Sequence, residues 1–169
     1  ISVKENHPSH QVILFEKTSK VLSKVRISGG GRCNVTHDCS DIPTLCEAYP
    51  RGGKKLKSLF YQFSKSDTVD WFESRGIPLK TEIDGRMFPE SNNSQSIIDC
   101  LESEIARLKV TLKLGQTIEQ IEQDGIGWKL NFKDQSNQKF DMVIIATGGS
   151  PNITGFDWLI KLDHTIIPP

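Results

Sequence analysis

Two continuous apolar runs constrain this chain more than any other feature. Val12-Ile13-Leu14-Phe15 stops at Glu16 and Lys17, and Met142-Val143-Ile144-Ile145-Ala146 stops at Thr147-Gly148-Gly149. A run with no polar position has no face for water, so each reads as a strand covered on both sides, the habit of a parallel sheet flanked by helices. Open α/β sheets bind ligands just beyond the carboxyl ends of their strands. The residues that close these two runs are therefore the first candidates for a site.

Between the runs the period changes repeatedly. Leu56, Leu59, Phe60 and Phe63 fall at helical spacing, with Lys54, Lys55 and Lys57 near the start. Asp67 is placed to cap a second helix ending at Gly76, with Val69 and Phe72 turned inward. Residues 77–88 alternate and turn at Asp84-Gly85, which predicts a hairpin with Arg86-Met87-Phe88 as its second arm. Ser94 is placed to cap a third helix that puts Ile97, Ile98, Leu101, Ile105 and Leu108 on one face. Strands are expected at 110–114, 117–122, 127–133 and 138–140, separated by turns at Asp124-Gly125 and from Asp134 to Asn137. A last short helix would hold Phe156, Trp158 and Leu159.

Composition narrows the partners. Lys+Arg and Asp+Glu both total 21, so the formal net charge is zero and no global field draws the chain to nucleic acid or an anionic membrane. An anion site must be local, and the basic stretch R-G-G-K-K-L-K at 51–57 reads as a solvated helix face rather than an RNA patch. No apolar run approaches the roughly 20 residues of a membrane-spanning helix, and no signal-peptide layout opens the chain. The expected compartment is the cytoplasm, with neither a membrane nor a nucleic-acid partner. Cys33, Cys39, Cys46 and Cys100 lack C-x-x-C pairing or a histidine at zinc-finger spacing, so free thiols and no metal site are expected. His7, His10, His37 and His164 have no partner at triad or metal spacing.

The densest chemistry lies at residues 27–36, I-S-G-G-G-R-C-N-V-T. Gly29, Gly30 and Gly31 admit positive φ and let main-chain N–H groups converge on an anion. Ser28 and Thr36 add hydroxyls, and Arg32 can make a charge-assisted bond to a phosphate or to a reduced, anionic ring. Cys33, beside that cation, is either a reactive thiolate or a small buried hydrophobe. Glu16 is either a solvated strand end or a carboxylate whose two oxygens match a ribose diol. Thr147-Gly148-Gly149 is either a tight turn or a close approach of backbone to ligand.

In order and spacing, V-I-L-F-E-K, S-K-V-R-I-S-G-G-G-R-C-N-V-T, D-G-R-M-F-P, V-I-I-A-T-G-G and D-H-T-I-I-P-P resemble the YhiN/BaiN-like flavoproteins. These are NAD(P)/FAD-dependent oxidoreductases of the two-dinucleotide-binding-domain type. The resemblance spans essentially the whole chain and implies an α/β, Rossmann-like FAD-binding domain with three-layer ββα character. It implies that Glu16, with Lys17 beside it, holds the adenosine ribose of FAD. Lys24, Ser28, Gly29, Gly30, Gly31, Arg32, Cys33, Asn34 and Thr36 would run along the pyrophosphate toward the isoalloxazine. Ile118 would meet the adenine through its main chain, and Ala146, Thr147, Gly148 and Gly149 would line the site from the other side. Arg32, Cys33 and Asn34 are the candidates for residues at the reacting ring; no general acid or base is assigned. NAD(P)H is the implied electron donor and a small molecule the acceptor.

The same resemblance implies a partial domain over 1–169: a second strand at 11–17, a glycine-rich cofactor loop at 24–36, a helical and hairpin segment at 53–108, and a β-meander with closing strand at 110–149. A first βα unit with its G-x-G-x-x-G turn is expected to be missing, residues 1–10 being the tail of its helix. A substrate-side domain would begin near 165, and it and the C-terminal return to the FAD domain are expected to be absent. The loop S-P-N-I-T-G-F-D-W-L after Gly149 is given no catalytic role. The alternatives are a non-catalytic or RNA-associated flavin-binding protein, or an inactive truncated gene product.

Overall fold

The computed structural model describes residues 1–149 and 153–167, so the S-P-N that opens the last loop and the closing Pro168-Pro169 lie outside the described residues. In chain order come α1 (Ser2–Asn6), β1 (Ile13–Phe15), α2 (Ser23–Gly31), β2 (Thr36–His37), α3 (Ile42–Glu47), α4 (Gly53–Gln62), α5 (Lys65–Glu73), β3 (Leu79–Thr81) and β4 (Arg86–Pro89). They are followed by α6 (Ser94–Arg107), β5 (Thr111–Lys113), β6 (Ile118–Asp124), β7 (Gly127–Phe132), β8 (Asn137–Phe140), a 3-10 turn at Ile153–Phe156 and α7 (Asp157–Ile160). Contacts divide the chain into two compact units, Ile1–Val12 with Leu22–Thr111, and Ile13–Val21 with Leu112–Pro169.

The first unit is built on a three-stranded antiparallel sheet in the order β2-β4-β3. Its hairpin turns where Asp84-Gly85 predicts: Gly85 N–H donates to Glu82 O at 2.9 Å, and Glu82 N–H to Arg86 O at 2.8 Å. β2, which pairs Thr36 with Met87, is two residues long and too short to show a period in sequence. The core gathers Cys33, Phe72, Leu79, Met87, Ile97 and Cys100 with half-buried Val25, Val35, Val69, Trp71, Ile77 and Leu101.

The helix starts are displaced from their expected caps. Ser64, not Asp67, caps α5; Asp67 sits three residues inside it and closes a capping box by accepting from Ser64 N–H at 2.7 Å. Asn93, not Ser94, caps α6, its side chain accepting from Gln95 N–H at 2.9 Å. Ser94 is buried instead and donates to Arg26 O at 2.8 Å. On α4 the expected inward stripe is only half covered: Leu56 and Phe60 are partly buried, whereas Leu59 is 55% exposed and Phe63 54%. The cover comes from α3, where Tyr49 just past its end stacks on Phe60 with ring centroids 5.5 Å apart, so only the stripe facing α3 is shielded.

In the second unit, β1 pairs with β5. The hydrogen bonds advance together along both segments, Glu16 N–H to Lys113 O at 2.9 Å and Gln116 N–H to Glu16 O at 3.0 Å, which is the parallel pattern that the first apolar run predicts, although Leu14 is 39% exposed and the expected cover on both faces is not met. β6, β7 and β8 form an antiparallel meander close to the expected boundaries, with an irregularity between Ile118 and Gln120. Ile121, Leu130 and Phe132 are buried against Phe15, Trp128, Phe140 and Trp158.

The second apolar run departs from expectation. Residues 142–149 form no strand, and Met142 is 71% and Ile144 79% exposed, with Val143 packing on the core. A segment apolar on both faces is stable as a strand only with a hydrogen-bonded neighbour and cover above and below. No strand of the described residues pairs with it. The class is nevertheless mixed α/β with a parallel ladder. All four cysteines are free. Among the described residues no helix is long and apolar enough to cross a membrane, and no group of three or more His, Cys, Asp or Glu side chains is placed to hold a metal ion.

Candidate functional site

In the first unit the expected cofactor loop is a helix that breaks. α2 is interrupted at Ser28, whose ψ swings to 149°, and Gly29, Gly30 and Gly31 then take φ of +55°, +69° and +86°. An L side chain pays roughly 1–2 kcal/mol for each such left-handed residue, so the glycine run is the physical condition for this turn. At Gly29 space adds to conformation, because a Cβ there would lie 2.7 Å from Phe88 Cε1 and 2.9 Å from Asn34 N. At Gly30 and Gly31 a Cβ would meet nothing within 4 Å, so the main chain is open on that side.

Arg32 follows the turn and is held from three directions. Its guanidinium lies 3.9 Å from the centroid of the Phe88 ring, its Nε donates to Gly29 O at 3.4 Å, and its Nη1 forms an ion pair with Glu82 Oε1. Phe88 is fully buried, so the ring is a fixed floor. Glu82 also faces Arg86, whose Nη2 is 3.6 Å from Oε2. Cys33 takes φ +64° and is 7% exposed, its side chain belonging to the core. Asn34 is exposed; with its amide oriented to satisfy both neighbours, the nitrogen donates to Thr36 O at 2.9 Å and Met87 O at 3.2 Å. Ser28 Oγ donates to Val25 O at 2.9 Å, so its proton is spent on the preceding turn. Lys24 is exposed on α2, and Thr36 lies in β2 opposite Met87.

In the second unit Glu16 closes β1, and its Oε1 accepts from Thr18 N–H at 2.7 Å and Thr18 Oγ1 at 2.8 Å. Those two donors, the main-chain one first, hold the carboxyl below the usual carboxylate range. Lys17 is exposed beside it. Ile118 lies opposite Phe132 at the irregularity in β6 and packs on the core. Ala146, Thr147, Gly148 and Gly149 are exposed, and Gly148 has φ +73°.

The structure thus brings Gly29, Arg32, Cys33, Asn34 and Thr36 together around the β4 arm of the hairpin in one unit, while Glu16, Lys17, Ile118 and 146–149 belong to the other. Phe88, Glu82 and Arg86 are functional neighbours that sequence reasoning assigned no role. For Arg86 and Phe88 the signal was present in D-G-R-M-F-P, a stretch that is polar, cationic and aromatic within six residues; Glu82 lies outside it.

A parallel β1–β5 ladder alongside two antiparallel sheets and their helices makes this a mixed α/β protein. The model of the HI0933-like protein Rossmann domain family matches residues 1–169, and the chain belongs to that family. It is similar to the 3-dehydro-bile acid delta(4,6)-reductase of Clostridium scindens, 26% identical over 166 residues that cover 94% of this chain and 39% of the relative. It is also similar to the ribosomal RNA dihydrouridine synthases of Escherichia coli, 27% identical over 139 residues, and Haemophilus influenzae, 26% over 141, each covering 82% of this chain and 34% of the relative. The chain therefore spans between a third and two fifths of the length of these relatives.

Proposed function

We propose that the intact protein is an FAD-dependent oxidoreductase and that residues 1–169 furnish part of its FAD site, with NAD(P)H as electron donor. The observation that carries this reading is the glycine turn: three successive left-handed residues, an open main chain at Gly30 and Gly31, and a restrained guanidinium at its end. Such a turn fits an extended, anionic cofactor, because main-chain donors can approach it without side-chain obstruction and a cation stands ready for its charge. FAD, when bound, supplies the hydride chemistry; the residues of this chain bind it, orient it and set its electrostatic surroundings.

Glu16 is assigned to the adenosine ribose. Both Thr18 bonds fall on Oε1, which leaves Oε2 as the acceptor for a hydroxyl. Arg32 is assigned to the ring, where its fixed charge offsets negative charge on the reduced cofactor. Asn34 and the glycines give the ring edge its polar contacts. Cys33, buried among Met87, Phe72 and Ile97 in the core cluster, is assigned to packing rather than chemistry. Lys17, Lys24, Ser28, Thr36, Ile118 and 146–149 are assigned to the remaining length of the cofactor.

The acceptor we propose is a carbon–carbon double bond. One relative is named for reduction of a bile-acid derivative and two for making dihydrouridine, which is uridine with its ring double bond reduced. A second reading makes that acceptor an RNA base; the names of the two synthases favour it. FAD titration into the intact apoprotein tests the primary reading. Glu16→Ala is expected to weaken binding by about 1.5–3 kcal/mol, the range for a charged hydrogen bond. Unchanged affinity would remove Glu16 from the site. Retention of labelled ribosomal RNA against an excess of unrelated RNA at fixed salt supports the RNA reading, and displacement by the unrelated RNA counts against it.

A further inference from the structure

The geometry points to Glu82 as the counter-charge that holds Arg32 in place and limits how strongly it acts on the flavin. This rests on the placement of Arg32 at the ring proposed above. Glu82 is itself fixed: its N–H donates to Arg86 O at 2.8 Å and its carbonyl accepts from Gly85 N–H at 2.9 Å, so its main chain is part of the hairpin turn. Its half-buried carboxylate meets Arg32 Nη1 through Oε1 and faces Arg86 Nη2 at 3.6 Å through Oε2. The Arg32 guanidinium has a buried ring at 3.9 Å beneath it and Gly29 O at 3.4 Å beside it. Only one of its three restraints carries charge.

That division has a consequence. Phe88 and Gly29 O keep the guanidinium near the glycine turn whether or not Glu82 is ionised, whereas the carboxylate alone subtracts from the potential that the guanidinium projects. At partly buried distances of a few ångströms an opposing charge is worth on the order of one pKa unit or more to a neighbouring group. A paired Arg32 thus stabilises the reduced cofactor less than a bare one, and Glu82 is a positioning residue that sets the flavin's midpoint potential.

The test is the midpoint potential of FAD in the intact flavoprotein, read by equilibration with redox dyes. Glu82→Gln keeps an oxygen to accept from Arg32 and removes the charge. It is expected to favour reduction by about tenfold, or about 30 mV for a two-electron couple. Arg32→Gln is expected to move the potential the other way. If Arg32→Gln leaves the potential unchanged, the placement of Arg32 at the ring fails. If Arg32→Gln lowers it while Glu82→Gln leaves it unchanged or lowers it, the counter-charge role of Glu82 is overturned. Should Glu82→Gln not yield folded protein by thermal melting, Arg86→Gln serves instead: it leaves the carboxylate wholly to Arg32 and is expected to lower the potential, and a rise or no change there overturns the role.

Discussion

Gly29 carries two constraints at once, a left-handed backbone and an aromatic ring where its Cβ would be. Gly29→Ala is expected to destabilise the protein by about 2–5 kcal/mol, roughly 1–2 from conformation and 1–3 from displaced packing. Gly30→Ala, with open space around it, is expected to cost about 1–2 kcal/mol from conformation alone. Urea denaturation of the two variants separates them, and equal losses would contradict the contact with Phe88. A second prediction concerns Glu104, which is buried and takes hydrogen bonds from Arg107 at 2.7 and 2.8 Å and an ion pair from Arg75 at 3.0 Å. The Arg107 bonds, foremost, pull its carboxyl down to about 2 from an ordinary value of 4.5. A depressed carboxylate contributes stability that is fully present above its unfolded value and is lost as pH falls through the folded one. The melting-temperature gap between wild type and Glu104→Gln is therefore largest near neutrality and closes as pH falls from about 4.5 toward about 2. A gap independent of pH would contradict the pairing. At this scale the sequence was informative about residue type and silent about partners. The triple glycine announced its turn, but the partner of Arg32 lies fifty positions away at Glu82, a separation that no local pattern encodes.

Elements were legible where one face is buried and turn chemistry brackets the run. The hairpin around Asp84-Gly85 and the meander from β6 to β8 follow from alternation and from turns that glycine or Asp134-to-Asn137 polarity can make. Helix starts were off by a few residues because neighbouring residues compete for the cap. Asn93 and Ser94 are both good caps, and the tertiary bond from Ser94 to Arg26 O decides between them. Asn93→Ala is expected to cost about 1 kcal/mol through the loss of the cap. Ser94→Ala is expected to cost about as much by removing the bond from its buried hydroxyl to Arg26 O, and to do so without fraying the first turn. Amide hydrogen exchange at Gln95 and Ser96 distinguishes the two: it should accelerate in Asn93→Ala and stay near wild type in Ser94→Ala. The run at 142–146 departs from expectation for a different reason. Its composition reports what the segment could bury, whereas strand formation depends on a neighbour, and none of the described strands pairs with it.

At the scale of the whole molecule, each unit has its own core, one around Met87 and Ile97 and the other around Ile121 and Leu130. The glycine turn and Arg32 belong to the first unit, and Glu16 and Ile118 to the second. The family model matches all 169 residues, and the chain spans 39% and 34% of the length of these curated relatives, so the reaction is proposed of the intact protein. The most direct measurement is anaerobic mixing of the intact, FAD-loaded protein with NADH and with NADPH while the flavin absorption is followed. The yellow band is expected to bleach with one or both donors and to return when an acceptor bearing a conjugated carbon–carbon double bond is added. A band that persists with both donors would contradict the assignment as an NAD(P)H-driven flavin oxidoreductase.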